Sequence, residues 1–199
     1  INIIPTKTVK KIAVVGAGPA GLSASTALAQ AGHEVTLFDG ESGIGGQFNI
    51  AKQVPGKEEF EESINFKLAS KNLLVTFHPV TLENESSATQ FQELLNALDT
   101  LTDTHIIFTK ANADTNGKVI NKMIDNYVEE NSNNCVVFAS LGQLRYLSSL
   151  QYVDAVVGNS SSGLLEVPSF KIGTINIGTR QKGRLKANSI IDCKANSED

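Results

Sequence analysis

The chain has 199 residues, which suits one large domain or one domain with an additional segment. Hydrophobic residues make up 41% and charged residues 19%, so there is enough apolar material for a core. The net charge of -4, without a long basic run, argues against a nucleic acid or a membrane surface as a partner. No apolar stretch approaches the roughly 18 residues that a membrane-spanning helix needs.

The first predicted elements form a strand–helix–strand unit. The apolar run 11–15 is followed by a glycine-rich turn, by a helix over residues 19–31 that Gly32 ends, and by a second strand over residues 35–38. Two strands and one helix within about 30 residues predict a βαβ unit with parallel strands.

The glycine-rich turn carries the pattern G-x-G-x-x-G at Gly16, Gly18 and Gly21. The first glycine would permit the tight turn, the second the close approach of a diphosphate, and the third the packing of the helix on the strand. Asp39, at the end of the second strand, would accept hydrogen bonds from a ribose diol and repel the 2′-phosphate of NADP. In this context the pattern predicts a dinucleotide site. The alternative is a turn that serves packing alone.

After a glycine-containing loop and a predicted helix over residues 58–69, strands and helices alternate regularly. The predicted strands are continuous apolar runs at residues 73–77, 105–108, 135–138, 155–157 and 174–177. The predicted helices between them cover residues 89–101, 118–130, 143–152 and 163–170. Continuous apolar strands are typical of a parallel sheet covered on both faces. We therefore predict an α/β fold with a Rossmann-like, doubly wound parallel sheet in three α/β/α layers, and we expect residues 187–199 to fray.

Cysteines and histidines are few. Cys135 lies in an apolar strand, which predicts a buried free thiol, and two cysteines far apart favour a reducing, cytoplasmic setting. No metal site is predicted. His33 in a turn and His105 at the start of a strand are interpreted as structural. His78 differs, because it follows a buried strand at the edge where open α/β sheets bind ligands. It is the candidate catalytic histidine, with a structural role as the alternative.

A hydroxyl-rich turn follows the strand at residues 155–157. Ser160, Ser161 and Ser162 could donate hydroxyl and backbone N–H groups to a phosphate at the start of the next helix. Glu166, one turn further, could reach a ribose diol. The alternative is a serine N-cap followed by an acid that the helix dipole favours.

Residues 9–59 resemble the flavin-binding segment of the bacterial 2,4-dienoyl-CoA reductase and trimethylamine dehydrogenase family. The matching words are VVGAGPAGLSAS, HEVTLFD and IGGQFNIAKQVPGKEEF. The resemblance implies that the three glycines line the FAD diphosphate, that Asp39 holds the adenosine ribose, and that Gly46 and Gln47 lie near the cofactor. The rest of that flavin domain and the FMN- and cluster-bearing barrel have no counterpart in the sequence, which argues against binding of FAD. Two cysteines cannot supply the four thiolates of an iron–sulfur cluster.

Residues 63–193 resemble the C-terminal half of the hydrolysing UDP-N-acetylglucosamine 2-epimerases of bacterial sialic-acid-type pathways. The matching words are KNLLVTFHPVTLEN, DTHIIFTKANAD, SLGQLRYLSSLQYVDAVVGNSSSGLLEVPSFK and TINIGTRQKGR. That family binds the UDP-sugar between two Rossmann-like halves. The resemblance implies that His78 lies by the diphosphate and sugar, that the serine turn holds phosphate, and that Glu166 holds the uridine ribose. It also implies that Arg180 and Arg184 lie near the cleft, with Lys110 and Asn112 along its rim.

The resemblances together predict two parts, a dinucleotide-binding βαβ unit at residues 1–62 and a UDP-sugar-binding domain at residues 63–199. In the favoured interpretation the chain is an epimerase fragment fused to a flavin-type βαβ unit, and it binds UDP or UDP-N-acetylglucosamine weakly. The alternatives are an FAD- or NAD(P)-binding oxidoreductase fragment, in which one sheet runs through both parts, and a non-catalytic chimera, engineered or accidental. The sequence leaves open whether the chain forms a homo-oligomer.

The resemblance also bears on catalysis. It implies that the acidic residues that move the C2 proton of the sugar belong to the N-terminal half of the family, which has no counterpart in this sequence. We therefore expect no turnover from this chain alone.

Overall fold

The computed structural model of the chain describes residues 8–46, 55–80, 87–112 and 115–199. The chain divides into two compact units, Ile1–Val54 and Pro55–Asp199. Residues 55–62, which the sequence-based boundary assigns to the first part, lie in the second unit. There the ring of Phe60 is fully buried and stacks on Tyr152 with 5.6 Å between ring centroids. The boundary at residue 62 separates the two segments of different resemblance, and it stays a prediction.

The first unit contains the predicted βαβ arrangement. Strands β1 (Lys11–Val15) and β2 (Glu34–Phe38) are parallel neighbours, and helix α1 (Pro19–Gln30) connects them. No residue of α1 is buried, and the side chains of Val15 and Phe38 are 85% and 53% exposed. Because two strands and one helix bury so little apolar surface, this unit has a small core of its own.

The second unit is built on a parallel sheet of six strands. They are β3 (Lys71–Thr76), β4 (Thr104–Thr109), β5 (Cys135–Phe138), β6 (Ala155–Gly158), β7 (Gly173–Ile177) and β8 (Ile190–Cys193). Their order across the sheet is β5-β4-β3-β6-β7-β8, and every neighbouring pair is parallel. The chain order reverses between β3 and β6, which makes that pair the switch point of the sheet.

Helices separate the strands and cover the sheet. They are α2 (Lys57–Ile64), α3 (Ser87–Asp99), α4 (Thr115–Glu130), α5 (Gly142–Ser149) and the short α6 (Ser162–Leu165). A buried cluster joins α3 and α4 to the sheet and includes Phe77, Phe91, Phe108, Ile120 and Ile124. The predicted α/β fold with a doubly wound parallel sheet is confirmed.

Two predictions for the C-terminal third were wrong. The single helix expected over residues 163–170 is a four-residue α6 followed by a 3-10 turn, Val167–Phe170, because Pro168 has no N–H to continue the helix. Residues 190–193, expected to fray, form strand β8, whose backbone pairs with β7 from Thr174↔Ile190 to Ile177↔Cys193. The described strands also form two separate sheets, not the single continuous sheet of the oxidoreductase alternative.

Two assignments from the sequence can be compared with the structure, and that of Cys135 is confirmed. Cys135 is a buried free cysteine, and burial raises the pKa of its thiol to about 12. His105 contacts the ring of Phe66, and its Nδ1 lies 2.7 Å from the carbonyl oxygen of Lys67. Across the described ranges, no helix is both long and apolar enough to cross a membrane, and no group of three potential metal ligands is found.

Candidate functional site

The candidate site of the second unit lies at the carboxyl ends of β3, β6 and β7. The last strand pairs are Thr76↔Gly158 between β3 and β6, and Gly158↔Asn176 between β6 and β7. His78 follows β3, the serine turn follows β6, and the two arginines follow β7. Because β3 and β6 are the switch point, their loops diverge and leave a crevice where open α/β sheets bind ligands.

Gly158 permits the closest approach of these two strands. Its φ of +136° lies in the region that favours glycine. A Cβ at this position would lie 2.7 Å from the carbonyl carbon of Thr76, and closer still to its oxygen. The approach allows the backbone N–H of Asn159 to donate to Thr76 O at 3.1 Å, one residue beyond the strand pair.

Asn159 joins the His78 loop to the serine turn. The backbone N–H of His78 donates to Asn159 Oδ1 at 2.7 Å, and Asn159 Nδ2 donates to the carbonyl oxygen of His78 at 2.8 Å. The carbonyl oxygen of Asn159 in turn accepts from Arg180 Nη1 at 3.0 Å and from Gln181 Nε2 at 2.7 Å. Asn159 and Gln181 are each 1% exposed. The structure therefore brings His78, the serine turn and Arg180 together around one buried asparagine.

Neither Asn159 nor Gln181 stands out in the sequence. The position of Asn159 directly before the serine turn, in GNSSSG, is the one signal that could have identified it.

The serine turn presents hydroxyl groups at this edge. The hydroxyls of Ser160 and Ser162 lie 3.1 Å apart, and Ser160 Oγ accepts a 3.4 Å bond from the N–H of Ser162. Ser161 precedes α6 and makes no side-chain capping bond. The alternative role of these serines as an N-cap is therefore supported by one long bond, from the N–H of Ser162 to Ser160 Oγ. Because α6 has four residues, few peptide dipoles add up, and an anion here would depend on hydroxyl and backbone N–H groups.

Glu166 and Tyr146 are neighbours beside the serine turn. Glu166 is half-buried, and this burial raises the pKa of its carboxyl group. Burial, with a contribution from the Glu166 carboxylate, raises the pKa of Tyr146 to about 12. The phenol of Tyr146 therefore stays protonated at neutral pH. It is a further polar group of the site that the sequence did not indicate.

Arg180 and Arg184 supply positive charge. Partial burial lowers the pKa of Arg180, and the nearby guanidinium of Arg184 lowers it further. Arginine nevertheless remains charged in proteins. The two guanidinium groups repel each other, so an anion bound between or beside them would be stabilised.

The two residues expected along the rim follow β4. Lys110 Nζ forms a 2.7 Å ion pair with Asp125 of α4, and Asn112 is exposed. The ion pair directs the charge of Lys110 toward α4.

The glycine turn of the first unit has the geometry that its pattern predicts. Gly16 has φ +102°, and a Cβ on Gly21 would lie 2.9 Å from the carbonyl carbon of Gly16. Helix α1 starts after Gly18 without a side-chain cap, and its first residue, Pro19, has no N–H. The unpaired N–H groups of the first turn of a helix are those that can bind an anion. Gly46 has φ +48°, and a Cβ there would lie 3.0 Å from the Cα of Gly18. Gln47 lies outside the described residues.

Asp39 is engaged with the backbone of the same turn. Its carboxylate accepts hydrogen bonds from the N–H of Ala17 and, at 2.8 Å, from the N–H of Glu41, and these bonds lower its pKa. A carboxylate has about four lone-pair sites, so capacity for a ribose diol remains. The described residues of this unit thus fit the diphosphate and ribose of a dinucleotide.

Two protein-family models match the chain in adjoining segments. The model described as UDP-N-acetylglucosamine 2-epimerase matches residues 45–199, and the model described as FAD binding domain matches residues 11–53. The segments overlap only between residues 45 and 53, in agreement with the chimera-like pattern predicted from the sequence.

Three similar proteins illustrate the two segments. The GDP/UDP-N,N'-diacetylbacillosamine 2-epimerase (hydrolyzing) of Campylobacter jejuni is 45% identical over 72% of this chain, which spans 37% of that protein. Bilirubin reductase of Mediterraneibacter gnavus is 41% identical over 33% of this chain and 10% of its own length. The solved UDP-GlcNAc 2-epimerase of Methanocaldococcus jannaschii aligns with a TM-score of 0.56 and 16% identity over 88% of this chain and 50% of that one, which shows the shared fold.

Proposed function

The chain belongs to the UDP-N-acetylglucosamine 2-epimerase family, and we propose that its second unit binds UDP or UDP-N-acetylglucosamine at the carboxyl ends of β3, β6 and β7. The observation that carries the proposal is the convergence of His78, the serine turn and Arg180 around Asn159. Hydroxyl donors, a histidine and guanidinium groups at the switch point of a parallel sheet are suited to an anionic nucleotide.

Each part of the nucleotide has a proposed partner. Ser160, Ser161 and Ser162 donate to the phosphate oxygens, and Arg180 and Arg184 balance their charge. His78 lies by the diphosphate and sugar, where it stabilises negative charge on the leaving diphosphate. Glu166 accepts hydrogen bonds from the ribose hydroxyls. The raised pKa of Glu166 is consistent with a half-buried carboxylate that gains by accepting donors from a ligand.

The affinity for UDP is expected to be low. The chain spans 37% of the length of the Campylobacter relative, and the family resemblance implies a cleft with two walls. This chain supplies one wall of the cleft, and the contacts from the other wall are absent. We therefore expect a dissociation constant of about 1 mM, equivalent to about 4 kcal/mol of binding free energy.

Calorimetric titration of the full chain with UDP tests the proposal. Ser161→Ala combined with Glu166→Ala is expected to weaken binding by roughly 100-fold, because each substitution removes hydrogen bonds that involve a charged group. Ser70→Ala combined with Glu129→Ala is the matched control, since both side chains are exposed and precede β3 and β5, at the end of the sheet opposite the site. Absence of heat at millimolar UDP, or equal affinity in the site variant and the control, would contradict the proposal.

Dinucleotide binding at Gly16–Gly21 is the second candidate, favoured by the FAD binding domain match over residues 11–53. The turn and Asp39 fit the diphosphate and ribose, whereas by the family resemblance the rest of the flavin domain has no counterpart in this sequence. We therefore expect the purified chain to carry far less than one FAD per molecule in its visible absorbance spectrum. A stoichiometric flavin spectrum that disappears in Asp39→Ala would instead favour the oxidoreductase alternative.

A further inference from the structure

The polar groups of Asn159 are used to an unusual degree. Its backbone N–H donates to Thr76, its carbonyl oxygen accepts two bonds, and its side chain both accepts from and donates to the backbone of His78. In a residue only 1% exposed, each of these groups would be costly to leave unpaired. The position therefore requires a short side chain that carries an acceptor and a donor on the same carbon atom, and asparagine has such a side chain.

Asn159 extends the contact between β3 and β6 beyond their last strand pair, first with its backbone N–H and then with its side chain. The β3–β6 ladder ends at Thr76↔Gly158, and the N–H of Asn159 then bonds to Thr76 O at 3.1 Å. The two side-chain bonds of 2.7 and 2.8 Å hold His78 two residues past the end of β3. The backbone of His78 is thereby fixed relative to the residue that directly precedes the serine turn.

Gln181 fixes the other side of Asn159. It is 1% exposed, and its Nε2 donates to the carbonyl oxygen of Asn159 at 2.7 Å, beside the bond from Arg180. Among the described residues, Gln181 Oε1 is buried without a hydrogen-bond partner. A buried amide with one unpaired acceptor lowers stability. We infer that the bond from Gln181 to Asn159 offsets this loss, because it helps to hold Asn159 in place.

We propose that Asn159 is a positioning residue that holds His78, the serine turn and Arg180 in one fixed arrangement, and that Gln181 supports it. Its effect on ligand affinity rests on the proposed UDP site, whereas its effect on the His78 backbone does not. If each loop moved independently, a nucleotide would have to order all three on binding. Holding them in advance lowers that cost and increases affinity.

The test compares Asn159→Asp with Asn72→Asp in the full chain. The first substitution keeps the shape, but the carboxylate oxygen that replaces Nδ2 would face the carbonyl oxygen of His78, to which Nδ2 now donates at 2.8 Å. Two acceptors repel each other, so the backbone of His78 moves away and the bond from its N–H is lost as well. Asn72 is the matched control, because it is 4% exposed and forms the same two-bond clamp, on Ala69 (2.9 and 3.1 Å), at the opposite end of β3. Both substitutions place a carboxyl group in a buried amide site, so a loss of stability is common to both.

Two measurements separate positioning from stability. Amide exchange by NMR should show the His78 N–H exchanging at least about tenfold faster in Asn159→Asp than in Asn72→Asp. Calorimetry should show about tenfold weaker UDP binding for Asn159→Asp and less than about a twofold change for Asn72→Asp. Unchanged His78 exchange in Asn159→Asp, or equal losses of affinity in the two variants, would overturn the proposal.

Gln181→Met provides a second variant in case Asn159→Asp does not fold. It removes the donor to Asn159 and also deletes the unpaired acceptor, so the denaturation midpoint should change little. We expect UDP binding to weaken by about threefold. Unchanged affinity in this variant would contradict the support of Asn159 by Gln181 and, where Asn159→Asp does not fold, would overturn the proposal. If the unsubstituted chain binds no UDP, the proposed function fails, while the exchange of the His78 amide still decides whether Asn159 fixes that loop.

Discussion

Gly158→Ala is expected to destabilise the second unit by about 4 kcal/mol or more. The backbone at this position has φ +136°, which an alanine adopts only with strain. The added methyl group would also collide with the carbonyl group of Thr76, whose carbon would lie 2.7 Å away. Gly158 belongs to β6 and Thr76 to β3, two paired strands in the middle of the sheet. Neither backbone can move away without breaking the β3–β6 pairing. Chemical denaturation followed by circular dichroism measures the loss.

Gly173→Ala is the matched control for this experiment. Gly173 begins the neighbouring strand β7, and a Cβ there would meet only the carbonyl oxygen of Ser189, at an ordinary distance of 3.8 Å. The control should change the free energy of unfolding by less than about 1 kcal/mol. Similar small losses in both variants would mean that β3 and β6 do not approach as closely as described.

The chain by itself is expected to release no UDP from UDP-N-acetylglucosamine above background. The reaction needs a base within about 3 Å of the C2 proton of the sugar. Glu166 is the carboxylate that the described structure places beside the serine turn, and its proposed role is to hold the ribose. Three further acidic residues follow predicted strands in the sequence, namely Glu83, Glu85 and Asp114, and they lie outside the described residues. By the family resemblance, the sugar faces the half that has no counterpart in this sequence.

His78 alone cannot replace these groups. One group that stabilises charge on the leaving diphosphate supplies only part of a barrier reduction that is at least about 8 kcal/mol in enzymes. The assay follows release of UDP from UDP-N-acetylglucosamine, and UDP binding by the same preparation shows that the site is intact. Turnover above background that disappears in His78→Ala would show that the catalytic groups are present in this chain.

Much of the fold could be predicted because its signals are local in sequence. Five of the six strands of the second unit are continuous apolar runs, and such runs report burial on both faces of a parallel sheet. The glycine turn is likewise local, since the conformation of Gly16 and the contact of Gly21 with Gly16 involve residues close along the chain. Strand β8 was missed because its short segment is recognised only through its pairing with β7.

The candidate site also combines features that are local in sequence with features that depend on contacts between distant segments. The sequence by itself determined the serine turn, Glu166 and the position of His78 after a buried strand, because each depends on a neighbouring strand end. It also determined that two segments of different resemblance are joined. Only the tertiary structure decided that Asn159 binds His78 across 81 positions of the chain and that Arg180 and Gln181 bond to the same asparagine. The physical reason is that the order of strands sets which loops meet, and strand order depends on pairing between distant segments.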